Sequence, residues 1–191
     1  MQLRHLGTVQ AAQVAPDRAA HMVGLSALLI WSEGSGGGGD PETGAGGSHR
    51  LYSASGAGGG VLGWAAGLTS LGAGSYGGTG HDAPRGLVRA EINGESLLLA
   101  PGRFGAGIEA WVPDAGGALG ARQWLAFDDG LARAFVAVQP VGDLLLTAAR
   151  GRAGLEVWRP DGERLLAQPQ DAQVAAPGQL SAIAHVGQGP S

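Results

Sequence analysis

The stretch "GGTGHDAPR" at 77–85 has the residue types that come nearest to a metal site in this chain. Its glycines and Asp82 match the start of the nonapeptide Gly-Gly-x-Gly-x-Asp-x-apolar-x, whose tandem copies bind calcium. Pro84, however, occupies the apolar position. Calcium takes about six to eight oxygen ligands, which successive copies supply together, and this copy stands alone. We therefore expect a glycine-rich connection without a cofactor, with a calcium ion at Asp82 as the alternative.

The remaining ionisable and nucleophilic residues predict no catalytic site. The histidines, which fall at no metal-ligand spacing, are His5, His21, His49, His81 and His185. No His-Glu-x-x-His and no Gly-x-Ser-x-Gly sequence occurs. A chain without lysine also cannot form the phosphate-binding loop that ends in lysine. Asp128 and Asp129 in "FDDG" are adjacent carboxylates, and we expect them to lie in a solvated turn.

Two kinds of charged residue recur at a fixed interval. Arg103 and Arg150 are 47 residues apart, and so are Glu109 and Glu156. The arginine and the glutamate of each set fall on facing arms of one predicted hairpin, so we expect cross-strand Arg–Glu pairs. Exposed pairs of this kind contribute about 0–1 kcal/mol to stability. Binding of a sugar or an acidic ligand is the alternative interpretation.

The composition excludes several classes of protein. The 191 residues suffice for one domain with a hydrophobic core, and a net charge of −4 leaves no dense basic patch for nucleic acid. There is no cysteine for disulfides or thiolate metal sites. The longest apolar run, at 22–31, is about half of the ~20 residues that a transmembrane helix requires. We expect no nucleic-acid partner and no membrane span.

The 47-residue interval extends to the apolar residues. A leucine precedes each of three tryptophans by 13 residues, and these anchors are Leu51, Trp64, Leu98, Trp111, Leu145 and Trp158. Around them lie short β-favouring runs separated by Gly-rich or Pro-Asp turns, which is typical of antiparallel strands. Large aromatic side chains dominate cores through the area that they bury. We therefore expect the tryptophans to pack between sheets rather than to stack on a ligand.

Four short strands in every 47 residues predict an all-β fold, and specifically a β-propeller with four antiparallel strands in each blade. The repeats suffice for about three and a half blades in a single region, 1–191. Its predicted parts are a leading strand at 1–10, blade 1 at about 22–76 with a glycine-rich insertion at 32–49, blade 2 at about 86–128, blade 3 at about 130–172 and the start of blade 4 at 178–189. Propellers close with about 4–8 blades. We therefore expect a fragment of a longer propeller. The alternatives are a ring that another copy or a second chain completes, and an open stack of sheets whose edges are otherwise covered.

The stretch "INGESLLLAPGRFGAGIEAWVPDAGGALG" at 92–120 resembles the propeller-like N-terminal regions of bacterial haemolysin-type calcium-binding (RTX) proteins. More distantly, it resembles the blades of lactonase-type seven-bladed propellers. The likeness spans about residues 20–189 and rests on the style of the repeat. The first resemblance implies a protein that is exported without a cleaved leader. It also implies that tandem calcium repeats follow the propeller, and this sequence lacks them. The second implies a hydrolase, but no catalytic residue of that group has a counterpart here.

These observations favour a non-catalytic binding or assembly module of a secreted or surface protein. The expected partner is a protein, a glycan or a second propeller half. One alternative is a propeller enzyme of the lactonase or hydrolase type, whose site would lie in the central channel near Arg89, Glu91 and His185. Another is a structural oligomer in which copies of the chain complete one ring. A cytoplasmic location is the alternative to the cell exterior.

Overall fold

In the computed structural model, the described residues form β-strands and no helix. The described part of the chain comprises residues 25–32, 49–55, 60–64, 70–75, 84, 86–115, 117–152 and 154–168. The expected strands at 1–10 and 178–189 lie outside it, as does nearly all of the insertion at 32–49. For the described residues, the all-β class that the sequence predicts is confirmed.

Twelve strands follow one another along the described residues. They are β1 (Leu25–Ser32), β2 (His49–Ser55), β3 (Gly60–Trp64), β4 (Ser70–Ser75), β5 (Val88–Ile92), β6 (Glu95–Ala100), β7 (Gly107–Pro113), β8 (Leu119–Phe127), β9 (Phe135–Val141), β10 (Leu144–Ala149), β11 (Glu156–Asp161) and β12 (Arg164–Ala167). Strands β1–β4 form one sheet in that order, and the others form a second sheet in the order β5-β6-β7-β8-β12-β11-β10-β9. The chain thus contains three antiparallel meanders: the first (β1–β4), the second (β5–β8) and the third (β9–β12).

Short turns connect neighbouring strands where the sequence supplies suitable residues. Asn93 and Gly94 join β5 to β6 with φ angles of 53° and 79°. Two central residues with positive φ characterise the type I′ hairpin, for which Asn-Gly is the strongest short sequence signal. This turn fixes the register in which Ile92 pairs with Glu95. Because side chains alternate between the two faces of a strand, the register also decides which residues of β5 and β6 are buried.

In each meander, one of the repeated tryptophans lies on the third strand, opposite a leucine of the second strand. The pairs are Leu51 with Trp64, Leu98 with Trp111, and Leu145 with Trp158. The three tryptophans are 4%, 0% and 2% exposed, so the structure places all three inside the protein. Removal of a buried tryptophan side chain typically costs about 3–5 kcal/mol. The repeated anchors therefore act as packing residues in all three meanders.

The second and third meanders pack face to face and meet along one edge. Their shared core includes Ile108, Leu125, Phe127, Phe135, Trp158 and Leu165. At the edge, β8 and β12 pair in parallel, with Ala126 opposite Arg164 and Phe127 opposite Leu165. At the other end of the order, β5 lies beside β9. The eight-stranded sheet is therefore nearly closed into a barrel.

The first meander packs against the other face of the second. Trp111 projects from β7 to the face opposite that of its neighbour Ala110, and it packs with Tyr52 of β2. The Tyr52 hydroxyl donates to the carbonyl of Gly117 at 2.9 Å. Arg50 donates to the carbonyl of Asp114 at 3.2 Å, in the same β7–β8 turn. Side chains of the first meander thus hold a turn of the second.

Gly107 begins β7 at a place where the fold has no room for a side chain. A Cβ atom there would lie 2.4 Å from the carbonyl oxygen of Leu125 and 2.7 Å from the ring of Trp124. We expect Gly107→Ala to lower the free energy of unfolding by about 1–3 kcal/mol, as overpacking does. Gly86 is the matched control, because nothing lies within 4 Å of a Cβ atom built there. Urea denaturation should separate the two variants, and equal losses would contradict the close packing at Gly107.

Candidate functional site

A polar groove of about 760 Å³ opens between the β5–β6 and β9–β10 hairpins. The first strands of the second and third meanders approach each other here. The groove is lined by Arg89, Ala90, Glu91, Asn93, Gly94, Pro140, Gly142 and Asp143. Each wall is thus one strand and the tight turn that follows it, so the width of the groove depends on how the two meanders pack.

The charged side chains of one wall are connected by hydrogen bonds. Arg89 Nη2 donates to Glu91 Oε1 at 2.7 Å and to the Ser96 hydroxyl at 3.1 Å. Ser96 in turn donates to Glu91. This hydrogen bond holds the pKa of Glu91 below its usual value against the opposing effect of burial, and Arg89 lowers the pKa further. The Arg89 and Glu91 side chains are 36% and 55% exposed. Because solvent screens such a pair, it orders the wall more than it stabilises the fold.

The groove can form hydrogen bonds with a polar ligand. Glu91 and Asp143 supply carboxylate acceptors, Arg89 supplies donors, and Asn93 supplies both through its amide. Two carboxylates against one guanidinium give these lining side chains a net charge of −1, which favours neutral or cationic ligands. Of the channel residues expected from the sequence, Arg89 and Glu91 line this groove, and His185 lies outside the described residues.

A second cluster of charges, the Arg133 cluster, lies between the second and third meanders. The Arg133 side chain is 1% exposed, and its Cζ atom lies 4.2 Å from the centroid of the Phe127 ring and 4.4 Å from that of Trp158. Its Nε donates to Glu156 Oε2 at 2.8 Å, and its Nη2 donates to Asp129 Oδ2 at 2.7 Å. A buried guanidinium is tolerated only with such partners. The cluster therefore anchors one meander to the other.

The structure corrects the expected partners of the recurring glutamates. Glu109 pairs with Arg122 of β8 at 3.0 Å, and Glu156 pairs with Arg133, whereas the expected partners Arg103 and Arg150 are exposed. Arg103 lies in the loop between β6 and β7, whereas the residue of β6 opposite Glu109 is Ala100. Glu109 is also 3% exposed, so this pair is not the surface pair that the sequence suggested.

The adjacent carboxylates of "FDDG" lie in an exposed turn, as the sequence predicts, and they also make hydrogen bonds within the protein. Asp129 accepts two hydrogen bonds from Arg133, at 3.1 and 2.7 Å, and one from the backbone N–H of Leu131 at 2.9 Å. The hydrogen bonds from Arg133 hold the pKa of Asp129 below its usual value. Burial opposes them, and the hydrogen bond from Leu131 lowers the pKa by a smaller amount. Asp128 accepts from the backbone N–H of Ala167 at 3.1 Å. This solvated turn therefore also connects β8 with β12 and with the Arg133 cluster.

The candidate calcium ligand Asp82 lies outside the described residues, and so do all the histidines except His49, the first residue of β2. Among the described residues, no group of three or more His, Asp or Glu side chains could hold a metal ion. The same residues contain no helix long and apolar enough to cross a membrane. These two findings apply only to the part of the chain that the structure describes.

Arg133 is the residue that reasoning from the sequence missed. It lies in a connection between meanders, and the residue 47 positions earlier is Gly86, so the repeat does not mark it. A local signal existed, because Asp129 lies four positions before Arg133 and could have suggested an ion pair. The stacking on Phe127 and Trp158 depends on tertiary packing and has no signal in the sequence.

Substitution of Arg133 should destabilise the contact between the second and third meanders. Arg133→Met keeps most of the volume but leaves Asp129 and Glu156 without their cation. Both carboxylates are partly exposed, so we expect a loss near the lower end of the ~3–5 kcal/mol typical of broken buried pairs. Arg159→Met removes an exposed guanidinium from β11 and should change stability by less than about 0.5 kcal/mol. Thermal and urea denaturation would measure both, and comparable effects would contradict the anchoring role.

The lowered pKa of Asp129 makes part of the stability depend on pH. The unfolded carboxyl titrates near the ordinary value of 3.8, and the folded one titrates below it. The wild type should therefore have a higher free energy of unfolding than Asp129→Asn, and this difference should be complete well above pH 3.8. It should disappear as the pH falls through the lower pKa that Asp129 has in the folded state. Urea titrations from pH 7 to pH 2 would measure this difference. In an Arg133→Met background the pH dependence should be largely lost, and its persistence would show another cause.

Comparison with known proteins gives this chain no family: no family model matches it, and no curated protein does.

Proposed function

We propose that the chain forms part of a β-propeller in which each meander is one blade. The support is the way the second and third meanders pack: they lie face to face, with their first strands β5 and β9 side by side. In a propeller, neighbouring blades pack face to face and their first strands surround the axis. The parallel pairing of β8 with β12 departs from this arrangement, because fourth strands of neighbouring blades diverge at the rim. The buried tryptophan at the same repeat position of each meander fits a repeated contact between blades.

A propeller of this kind needs more blades than the three that the described residues form. Rings close with about 4–8 blades, and unpaired edge strands otherwise attract other chains. We therefore propose that a second copy of the chain or a second propeller half completes the ring. The chain is in this respect an assembly module.

The function that the geometry supports best is non-catalytic binding at the groove, and the observation that carries it is the position of the groove. It lies between the first strands of two meanders, which is where the channel of a propeller opens. Its exposed carboxylates, guanidinium and amide fit the hydroxyls of a glycan or the polar groups of a protein segment. The resemblance to RTX proteins supports a secreted or surface location for such a module.

A glycan array, followed by pull-down of proteins from the source cells, would test this function. We expect a ligand whose binding weakens at least tenfold in Asp143→Ala, because this substitution removes an exposed carboxylate from the turn that lines the groove. Glu163→Ala removes an exposed carboxylate from the β11–β12 turn, outside the groove, and should leave binding unchanged. Equal losses in both variants, or no ligand in either screen, would refute the binding function.

Light scattering with and without calcium would test the assembly and the alternative cofactor. A particle at a multiple of the 19.0 kDa chain would support a ring built from copies of this chain. A monomer of 19.0 kDa would exclude it and leave a second propeller half as the partner. A change of mass or compactness on addition of calcium would support a calcium site such as the one considered at Asp82, and no change would count against it.

A further inference from the structure

One position of the 47-residue repeat, called a column below, carries a different side chain in each meander. Ser53, Ala100 and Thr147 follow each other at intervals of 47 residues. Each lies 11 positions before the tryptophan of its meander. In the second and third meanders the residue opposite is a glutamate, because Ala100 pairs with Glu109 and Thr147 pairs with Glu156. The two sites therefore have the same backbone register, but only the site in the third meander has a hydroxyl group at this position.

In the third meander, that hydroxyl joins two side chains. Trp158 Nε1 donates to Thr147 Oγ1 at 3.0 Å, and Thr147 Oγ1 lies 3.4 Å from Glu156 Oε2, to which it can donate. In the first meander, Trp64 Nε1 likewise donates to Ser53 Oγ at 2.7 Å. A hydroxyl at this column thus accepts a hydrogen bond from the indole, and a single oxygen atom reaches both the indole and the glutamate.

In the second meander, the atoms that such a hydroxyl would join have no partner among the described residues. Trp111 Nε1 and Glu109 Oε2 are both buried, and neither makes a hydrogen bond with another group in that part of the chain. Trp111 is 0% exposed and Glu109 is 3% exposed, so bulk solvent does not reach them. Buried polar groups in folded proteins almost always have a hydrogen-bond partner, either in the protein or in an ordered water.

We propose that Trp111 and Glu109 bind one internal water molecule at the position equivalent to Thr147 Oγ1. The water would accept a hydrogen bond from Trp111 Nε1 and donate one to Glu109 Oε2. Glu109 Oε1 is already held by Arg122 at 3.0 Å, which directs the other oxygen to the water. Burial raises the pKa of Glu109 against the effect of Arg122, and a water that donates to the carboxylate would offset part of the lost hydration.

The chemistry of the two partners selects water over an ion. A cation bound to Glu109 would face the positive end of the indole N–H bond, and an anion bound to Trp111 would face a carboxylate. The ligand must accept and donate from about the same point, as a hydroxyl does in the third meander. Buried waters typically make about 2–4 hydrogen bonds, and the site supplies two from side chains.

Crystal structures of the wild type and two variants would test the site directly. We expect a solvent peak within about 2.7–3.2 Å of both Trp111 Nε1 and Glu109 Oε2, and no such peak in Ala100→Ser, whose hydroxyl takes its place. In Thr147→Ala, a new peak should lie between Trp158 and Glu156. Absence of the peak from the wild type, or from Thr147→Ala, would overturn the proposal.

The stability of two variants with substitutions at residue 100 provides an independent test. Ala100→Ser should fold at least as well as the wild type, because its hydroxyl can make both hydrogen bonds. Ala100→Val should lower the folding equilibrium constant about tenfold or more, because its methyl groups displace the water and leave both atoms unsatisfied. If the valine variant equals or exceeds the wild type in urea denaturation, the site is dry and the proposal is wrong. If that variant fails to fold, the wild-type crystal structure still decides.

Discussion

The burial of one indole in each meander is the interaction on which the rest of the structure depends. A four-stranded antiparallel sheet of this length has two faces, and at least one must be covered for the sheet to be stable. Trp111 packs in the core between the first and second meanders, and Trp158 packs in the core between the second and third. The leucine opposite each tryptophan continues the same contact. The groove exists because this packing brings β5 close to β9.

Polar side chains determine how the packed meanders are oriented. Apolar contacts are not directional, so burial alone would allow the meanders to slide past each other. Arg133 restricts this freedom, because its ion pairs link Asp129 with Glu156 of β11 while its guanidinium lies against two rings. Glu109 and Arg122 link β7 to β8 at the contact with the first meander. Each of these groups is costly to bury unless it is paired.

The sequence predicted those parts of the fold that repeat along the chain. The 47-residue interval identified the tryptophan and leucine anchors, and Asn93-Gly94 is a recognisable hairpin turn. The contacts between meanders could not be read in this way. Arg133 belongs to a connection, and its partner Glu156 is 23 residues away on another strand. The groove likewise needs two hairpins to approach in space, which no local pattern encodes. The recurrence of Glu109 and Glu156 is visible in the sequence, but the partners of these glutamates depend on strand register.

The side chains that hold the β7–β8 turn bind it through its backbone. Tyr52 and Arg50 of β2 donate to carbonyl oxygens there, those of Gly117, Asp114 and Ala115. Every residue type has a carbonyl group, so this contact sets few demands on the side chains of the turn. It does demand a fixed backbone path, since a Cβ atom at Gly63 would lie 3.2 Å from the carbonyl oxygen of Gly117. In evolution, insertions and deletions within this turn should therefore be rare. Gly117, whose φ is 87°, and Asp114, whose side chain accepts from the N–H of Ala118, should vary little, whereas the side chain of Ala115 should exchange freely.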